Sequence, residues 1–277
     1  MKLPSRIVGA KTPAILQALD ARWVMAYSAG IGETDARCYD TADELPVHPV
    51  FPVCYEWEPL QPVRNLPELR EVHSQLVHAE HHMVLHRPLR AGETVRTTAQ
   101  IVAALARSPG AFVVFRCDTT DAKEEPVVTS HYGYLYRGVA LEGGDAQAAD
   151  LPQAQDASGN LSPLDEIAIP ANAAHVYTEC ARIFNPIHTD IAYARAAGLP
   201  GIILHGTATL ALSVSRALRS HDIEWRRVHA LSCRFSGMVL MPSTLRLHAA
   251  RDGRGIAFET ANDRGDKVIS RGRLLLE

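Results

Sequence analysis

The sequence of 277 residues has no apolar run approaching the roughly 20 residues that a membrane-spanning helix needs. It also lacks an excess of either charge, because its net charge is only −3, and a chain without a basic excess has no electrostatic footprint for nucleic acid. We therefore expect neither a membrane nor a nucleic-acid partner. The first residues contain no apolar core of signal-peptide length, and the final LLLE is not a peroxisomal tripeptide. These two absences predict a cytoplasmic chain.

Cysteine is scarce: the sequence has five, an odd number, and none of them forms a CxxC pair. This pattern argues against a disulfide scaffold or a zinc knuckle and predicts reduced thiols. Histidine is concentrated in VHAEHHMVLH (77–86). On an alternating strand we expect His78, His82 and His86 to share one face over roughly 13–14 Å, which is too far apart to bind one ion. The sequence predicts no metal and no cofactor.

A segment rich in Gly, Ala, Asp and Gln, residues 138–160, separates two halves of similar length. It has no apolar periodicity, so we expect it to run over the surface. The halves resemble each other: LRAGETVR is repeated as VLMPSTLR 150 positions later, and two predicted hairpins occupy 113–137 and 256–277. The prediction is therefore one repeat at 1–137, a linker at 138–163, and a second repeat at 164–277.

Each half contains a candidate helix before its strands. Trp23, Ala26, Tyr27 and Gly30 follow helical spacing within 18–32, and 205–220 is apolar along most of its length. A helix followed by several strands, twice over, predicts an α+β fold in which helices pack on antiparallel sheet.

The stretch ARIFNPIHTD, residues 181–190, combines residue types that carry chemistry. Asp190 precedes a short helical pattern and is predicted to cap it, with Gly198 in the left-handed position after its end. Asn185 and Pro186 form a turn signal just before His188. A histidine held by a rigid turn can add or remove a proton near neutral pH.

The dipeptide His205-Gly206 opens the second long helix. The first N–H groups of a helix are unpaired and carry partial positive charge, and glycine lets a ligand atom approach closely. Such a terminus can stabilise negative charge on a carbonyl oxygen. A plain helix start, with glycine needed only for packing, is an equally good interpretation of this feature alone.

Taken together, NPIHTD followed by AGLPGIILHG resembles the signature of the MaoC-like, (R)-specific enoyl-CoA hydratase family, in which SGDxNPxHxD precedes a downstream HG. HPVFPV (48–53), LVHAEHHMVLHRPLRAGETV (76–95) and RFSGMVLMPSTL (234–245) are similar to further segments of that family. The resemblance implies a double hot-dog fold, in which each of two curved sheets wraps a central helix. It also implies that the second half carries the chemistry while the first half covers the acyl chain.

The family pairs this histidine with an aspartate, which falls at Ile183 here, and the preceding family glycine falls at Arg182. Isoleucine cannot accept a proton, and losing one acid/base group costs on the order of 10²–10⁴-fold in rate. Three alternatives remain. In the first, Glu179 takes over the acid/base role of the aspartate, because we expect a strand to place it on the same face as Ile183. In the second, His188 acts alone on an activated substrate. In the third, the site binds acyl-CoA without hydrating it.

The leading hypothesis is a hydratase or dehydratase acting on an enoyl-CoA or 3-hydroxyacyl-CoA thioester. A thioesterase or a non-catalytic acyl-CoA-binding protein is the alternative. The resemblance further suggests that two chains pair as a homodimer. Four residues are predicted to act in catalysis: His188, Gly206, Asn185 and Glu179. Five are predicted to contact the substrate: Arg182, Ile183, His205, Thr207 and Arg234.

Overall fold

The structure is a computed structural model that describes residues 1–153 and 160–277. Its α-helices are α1 (Ala21–Gly30), α2 (Pro52–Arg64), α3 (Pro67–Arg70), α4 (Ala173–Ala181), α5 (Ile191–Ala196) and α6 (Gly206–Ser220). Its first strands are β1 (Lys2–Pro4), β2 (Ile15–Ala18), β3 (Leu76–Leu85), β4 (Thr94–Arg107), β5 (Gly110–Thr120), β6 (Pro126–Arg137), β7 (Ala140–Glu142) and β8 (Ala146–Gln147). The later strands are β9 (Ser162–Ile169), β10 (Val228–Phe235), β11 (Ser243–Asp252), β12 (Gly255–Ala261) and β13 (Lys267–Leu276).

The chain divides into two compact units that exchange segments along the sequence. Unit 1 comprises Met1–Gln17, Tyr55–Arg87 and Thr94–Ala154, and unit 2 comprises Ala18–Cys54, Pro88–Glu93 and Gln155–Glu277. Parts of the N-terminal half therefore group with the C-terminal half. The boundaries at 137 and 164, inferred from the sequence repeat, stay a prediction.

Unit 1 is built on a sheet with the strand order β2-β4-β5-β6-β3. The long strands β4, β5, β6 and β3 pair antiparallel in that order. One face of the sheet packs on α2, whose Leu60 and Val63 lie in a core cluster with Phe115 and Tyr132. Burying these side chains contributes roughly 1.5–3 kcal/mol each, so the helix is held by its sheet-facing stripe.

Unit 2 repeats this plan with the antiparallel order β10-β13-β12-β11-β9. Its long helix α6 packs against β9, β11, β12 and β13 and buries Leu210, Val214 and Leu218 completely. Helices α1 and α4 pack together so closely that a Cβ atom on Gly30 would lie 2.6 Å from the Cβ of Cys180. This close approach explains the glycine at the end of α1 and fixes the position of α4.

The predicted α+β class is confirmed by these two sheets and their helices. The predicted helices at 18–32 and 205–220 are α1 and α6, and both predicted hairpins are present as β5–β6 and β12–β13. Helix α1 begins at a cap, where the carboxylate of Asp20 accepts a hydrogen bond of 2.9 Å from the N–H of Trp23. Trp23 and Tyr27 are buried, as the helical spacing indicated.

The linker bounds stay a prediction, and the described part of the segment contains two short strands. Of residues 138–163, the positions 154–159 lie outside the described residues, but β7 and β8 lie within the segment. Strand β7 pairs parallel with β1, and β8 pairs antiparallel with β4. Leu141 of β7 packs against the core cluster of unit 1. The segment has too few apolar residues to show periodicity, yet its backbone completes sheet edges.

The predicted histidine face on β3 is wrong. A register shift between His78 and Glu80 changes the alternation, as a β-bulge does. His78 therefore lies beside His81, with ring centroids 5.6 Å apart, and His81 is fully buried. Within the described part of the chain, no group of three or more His, Cys, Asp or Glu side chains is arranged to hold a metal ion.

Across residues 1–153 and 160–277, none of the helices combines the length and the apolar character that crossing a bilayer requires.

Candidate active site

The loop at residues 181–190 begins where α4 ends. Arg182 closes the helix in the left-handed conformation, with φ of 58°. Its guanidinium lies 4.2 Å from the centre of the Trp23 ring and 3.6 Å from the carboxylate of Asp20. The cation–π contact and the ion pair thus hold Arg182 against α1. A non-glycine residue in this conformation costs roughly 1–2 kcal/mol, which these contacts offset.

His188 occupies the end of a short 3-10 helix, Pro186–His188, and is only 8% exposed. The side chain of Asn185 caps this turn by accepting a bond of 3.4 Å from the N–H of Ile187. His188 Nδ1 lies 2.8 Å from the carbonyl oxygen of Ile203. A carbonyl only accepts, so Nδ1 carries the proton and Nε2 of the neutral ring is an acceptor.

Burial sets the charge of His188. It lowers the pKa of the imidazole to about 4, although the bond to the Ile203 carbonyl favours the protonated form. The imidazole is therefore neutral at pH 7. A neutral ring with an unprotonated Nε2 is the form that can take a proton from water.

His205 packs directly on His188. The two imidazole rings are stacked with centroids 3.6 Å apart and an angle of 24° between their planes. His205 Nε2 lies 3.2 Å from the hydroxyl oxygen of Thr178 on α4. Burial lowers the pKa of His205 well below its ordinary value, and the adjacent His188 lowers it further. Both rings of the stacked pair are therefore neutral.

Gly206 is the first residue of α6. The side chain of the N-cap residue, His205, makes no capping hydrogen bond at this helix start, and the first N–H groups of a helix have no carbonyl partner within it. A Cβ atom on Gly206 would lie 3.1 Å from the ring of Phe235. A side chain at this position would therefore press on the Phe235 ring, and glycine avoids that contact.

The next residue, Thr207, is held from α4. The Tyr177 hydroxyl donates a hydrogen bond of 3.2 Å to the Thr207 hydroxyl, and the Tyr177 ring lies 4.9 Å from that of His205. Burial raises the pKa of Tyr177 far above its ordinary value, so the phenol keeps its proton. Helix α4 thus positions the start of α6 through two adjacent side chains, Tyr177 and Thr178.

The structure brings some of the predicted residues together. One cluster contains His188, His205, Gly206 and Thr207. The predicted caps around the loop are also confirmed. Asp190 accepts bonds of 2.8 and 3.2 Å from the first N–H groups of α5. Gly198 adopts the left-handed conformation after that helix, with φ of 79°.

Two predicted residues do not face this cluster. Glu179 was expected to share a strand face with Ile183, but it lies on helix α4. The helical period directs Glu179 to solvent, while Ile183 is 5% exposed and buried. Arg234 is exposed on β10, and its contacts with the described residues do not include the stacked histidines. Glu179 is therefore not placed to replace the missing aspartate.

Three contributors were missed by the sequence reasoning: Tyr177, Thr178 and the carbonyl of Ile203. The first two belong to α4, whose buried positions Ala174, Tyr177, Thr178 and Ala181 follow helical spacing. That spacing is a signal available in the sequence. The contact with the Ile203 carbonyl left no signal in the sequence, because such backbone contacts depend on tertiary structure.

Comparison with known proteins confirms the resemblance to the MaoC-like family. Residues 164–271 match the MaoC like domain. Residues 6–130 match the FAS1-like, dehydratase domain region. The fold is the double hot-dog: a Mycobacterium tuberculosis protein described as having that fold superposes with a TM-score of 0.64 at 15% identity, over 97% of this chain and 96% of that one.

Individual relatives extend over nearly the whole chain. The peroxisomal multifunctional enzyme type 2 of Mus musculus is 25% identical over 95% of this chain, and the enoyl-CoA hydratase ChsH3 of Mycobacterium tuberculosis is 23% identical over 96%. The chain spans 37% of the first relative and 95% of the second. A MaoC-like dehydratase from Phytophthora capsici superposes with a TM-score of 0.83 at 21% identity, over 98% of this chain and 96% of that one.

Proposed function

We propose that this chain is a hydro-lyase that catalyses the reversible hydration of an α,β-unsaturated acyl-CoA thioester. The observation that carries the proposal is the pairing of a neutral, acceptor His188 with the uncapped start of α6 at Gly206. His188 transfers the proton, and the N–H groups at the start of α6 stabilise negative charge on the thioester oxygen. The names of the relatives, enoyl-CoA hydratase and MaoC-like dehydratase, support the same reaction.

In the proposed reaction, Nε2 of His188 takes a proton from water while the hydroxyl oxygen bonds to Cβ of the substrate. The electron pair of the double bond shifts through Cα to the thioester oxygen, which accepts hydrogen bonds from N–H groups at the start of α6. The His188 imidazolium then returns its proton to Cα as the carbonyl re-forms. Water is thereby added across the double bond, the thioester stays intact, and one imidazole serves both proton transfers.

The second candidate function is binding of an acyl-CoA without hydration. It is favoured by Ile183, a buried apolar side chain at the position where the family carries an aspartate. A single imidazole can serve as both acid and base, so we favour hydration over binding. No carboxylate among the described residues hydrogen-bonds His188, so the imidazole carries both proton transfers.

The test is loss of enoyl absorbance when the purified protein is incubated with crotonyl-CoA. We compare wild type with His188→Gln and with His229→Gln, a control on β10 whose side chain is 42% exposed. We expect hydration by wild type and by the control, and a loss on the order of 10²–10⁴-fold in His188→Gln. Equal rates in wild type and His188→Gln would overturn the assignment of His188.

A further inference from the structure

We propose that His205 is a positioning residue for His188, acting through ring stacking rather than by contact with the substrate. The inference rests on the proposed function, in which His188 is the acid/base group. The side chain of His205 is 2% exposed, so it has little surface to offer a substrate. Its ring face is occupied by His188 at 3.6 Å. The earlier expectation that His205 binds substrate is replaced by this one.

Two contacts hold the imidazole of His188. Its bond to the Ile203 carbonyl fixes one ring nitrogen, but rotation about that contact would still swing Nε2. Stacking with the His205 ring restricts the imidazole plane, since the interplanar angle is only 24°. One in-plane hydrogen bond and one face contact together define the direction of Nε2. In other enzymes a carboxylate often orients the histidine, and here a ring face takes that part.

His205 is itself held by side chains of α4. Thr178 lies 3.2 Å from its Nε2, and the Tyr177 ring lies 4.9 Å from its own. Both side chains come from α4, which α1 holds through the Gly30 contact. The backbone of Ile183 also hydrogen-bonds the His205 ring.

The His205 ring also affects the proton affinity of His188. His205 forms part of the dry wall around His188, and burial is the main cause of the low pKa of His188. The titratable group that packs on the pair from α4 is Tyr177, which stays protonated. Removing the His205 ring would admit water and let the imidazole of His188 ionise more readily. The orientation and the proton affinity of His188 should therefore change together.

The experiment follows the imidazole nitrogens of His188 by NMR in protein labelled with nitrogen-15 histidine, across a pH titration. In wild type we expect the Nδ1–H tautomer and a titration near pH 4. His205→Asn removes the ring, and we expect His188 to titrate at least one pH unit higher with mixed tautomers. His205→Phe keeps a stacking ring without the nitrogens, and we expect it to match wild type.

A His205→Asn titration and tautomer identical to those of wild type would overturn the inference, as would a His205→Phe protein that behaves like His205→Asn. Thermal unfolding of each variant identifies a protein that fails to fold. If it does fail, His205→Gln, which keeps a longer polar side chain but no ring, takes the place of His205→Asn. In the hydration assay we expect kcat to fall about tenfold in His205→Asn with KM unchanged, and to stay within threefold in His205→Phe.

The two proposals are separated because the NMR titration does not depend on turnover. A His188 titration that responds to His205 in a protein without hydratase activity would support the positioning role and contradict the proposed function. An active enzyme whose His188 ignores the His205 substitutions would do the reverse.

Discussion

The fully buried carboxyl of Glu56 on α2 predicts a pH-dependent stability for unit 1. The Tyr132 hydroxyl donates a hydrogen bond of 2.5 Å to the buried carboxyl group. Burial raises the pKa of Glu56 from 4.5 to about 7, although the Tyr132 hydrogen bond lowers it. Tyr132, Tyr134 and Cys117 nearby also have raised pKa values and stay neutral.

The pKa of Glu56 is about 2.5 higher in the folded protein than in the unfolded chain. A difference of 1 in pKa corresponds to about 1.36 kcal/mol in the free energy of unfolding. The folded state binds the proton more tightly than the unfolded state does. The free energy of unfolding is therefore unaffected below the unfolded pKa, falls as pH rises from 4.5 to about 7, and stays lower above that. The total loss is about 3 kcal/mol.

Urea unfolding of wild type and Glu56→Gln, at about pH 5 and about pH 8, measures this loss. Glutamine has the same shape and cannot ionise, so the variant should gain about 2–3 kcal/mol relative to wild type between the two pH values. Glu58→Gln, on the exposed face of the same helix, is the matched control and should show no such gain. A constant difference between wild type and Glu56→Gln at both pH values would refute the reasoning.

Two further predictions concern the candidate site. The Ile183 backbone hydrogen-bonds the His205 ring, so Ile183→Asp introduces a carboxylate beside the stacked histidines. We expect the hydration rate to rise on the order of 10²-fold and Ile183→Asn to give no rise; an unchanged rate in Ile183→Asp, measured with crotonyl-CoA, would show that a carboxylate at this position does not speed turnover. Gly206→Ala places a Cβ atom 3.1 Å from the Phe235 ring, so the ring or the helix start must shift by a few tenths of an ångström, and we expect kcat to fall about tenfold. Gly201→Ala, whose Cβ would meet nothing within 4 Å, should keep the wild-type rate; equal kcat values in the two glycine variants would contradict the role of the α6 terminus.

Much of the fold could be predicted because its signals are local. The spacing of Trp23 and Tyr27 revealed α1, and alternating hydrophobicity revealed both hairpins. Helix α2 gave no clear signal because Pro59 and Pro62 lie inside it and Glu56 occupies its sheet-facing stripe. Local preference and final structure disagree at that helix, and packing against the sheet of unit 1 decides the outcome.

The site could be predicted only in part. The Asn-Pro turn and the cap at Asp190 are local features, so the loop geometry around His188 followed from the sequence. The stack with His205 joins positions 17 residues apart, and the bond to Ile203 uses a backbone carbonyl, so neither leaves a residue pattern. The orientation of Glu179 was wrong because the strand assumed for it is helix α4.

The central claim is that the protein adds water to an enoyl thioester and leaves the thioester bond intact. Mass spectrometry of crotonyl-CoA incubated with the wild-type protein in water labelled with heavy oxygen tests it most directly. We predict a 3-hydroxyacyl-CoA that carries one heavy oxygen atom, with no release of free CoA. Recovery of unchanged crotonyl-CoA would contradict hydration of this substrate, and release of free CoA would identify thioester hydrolysis instead.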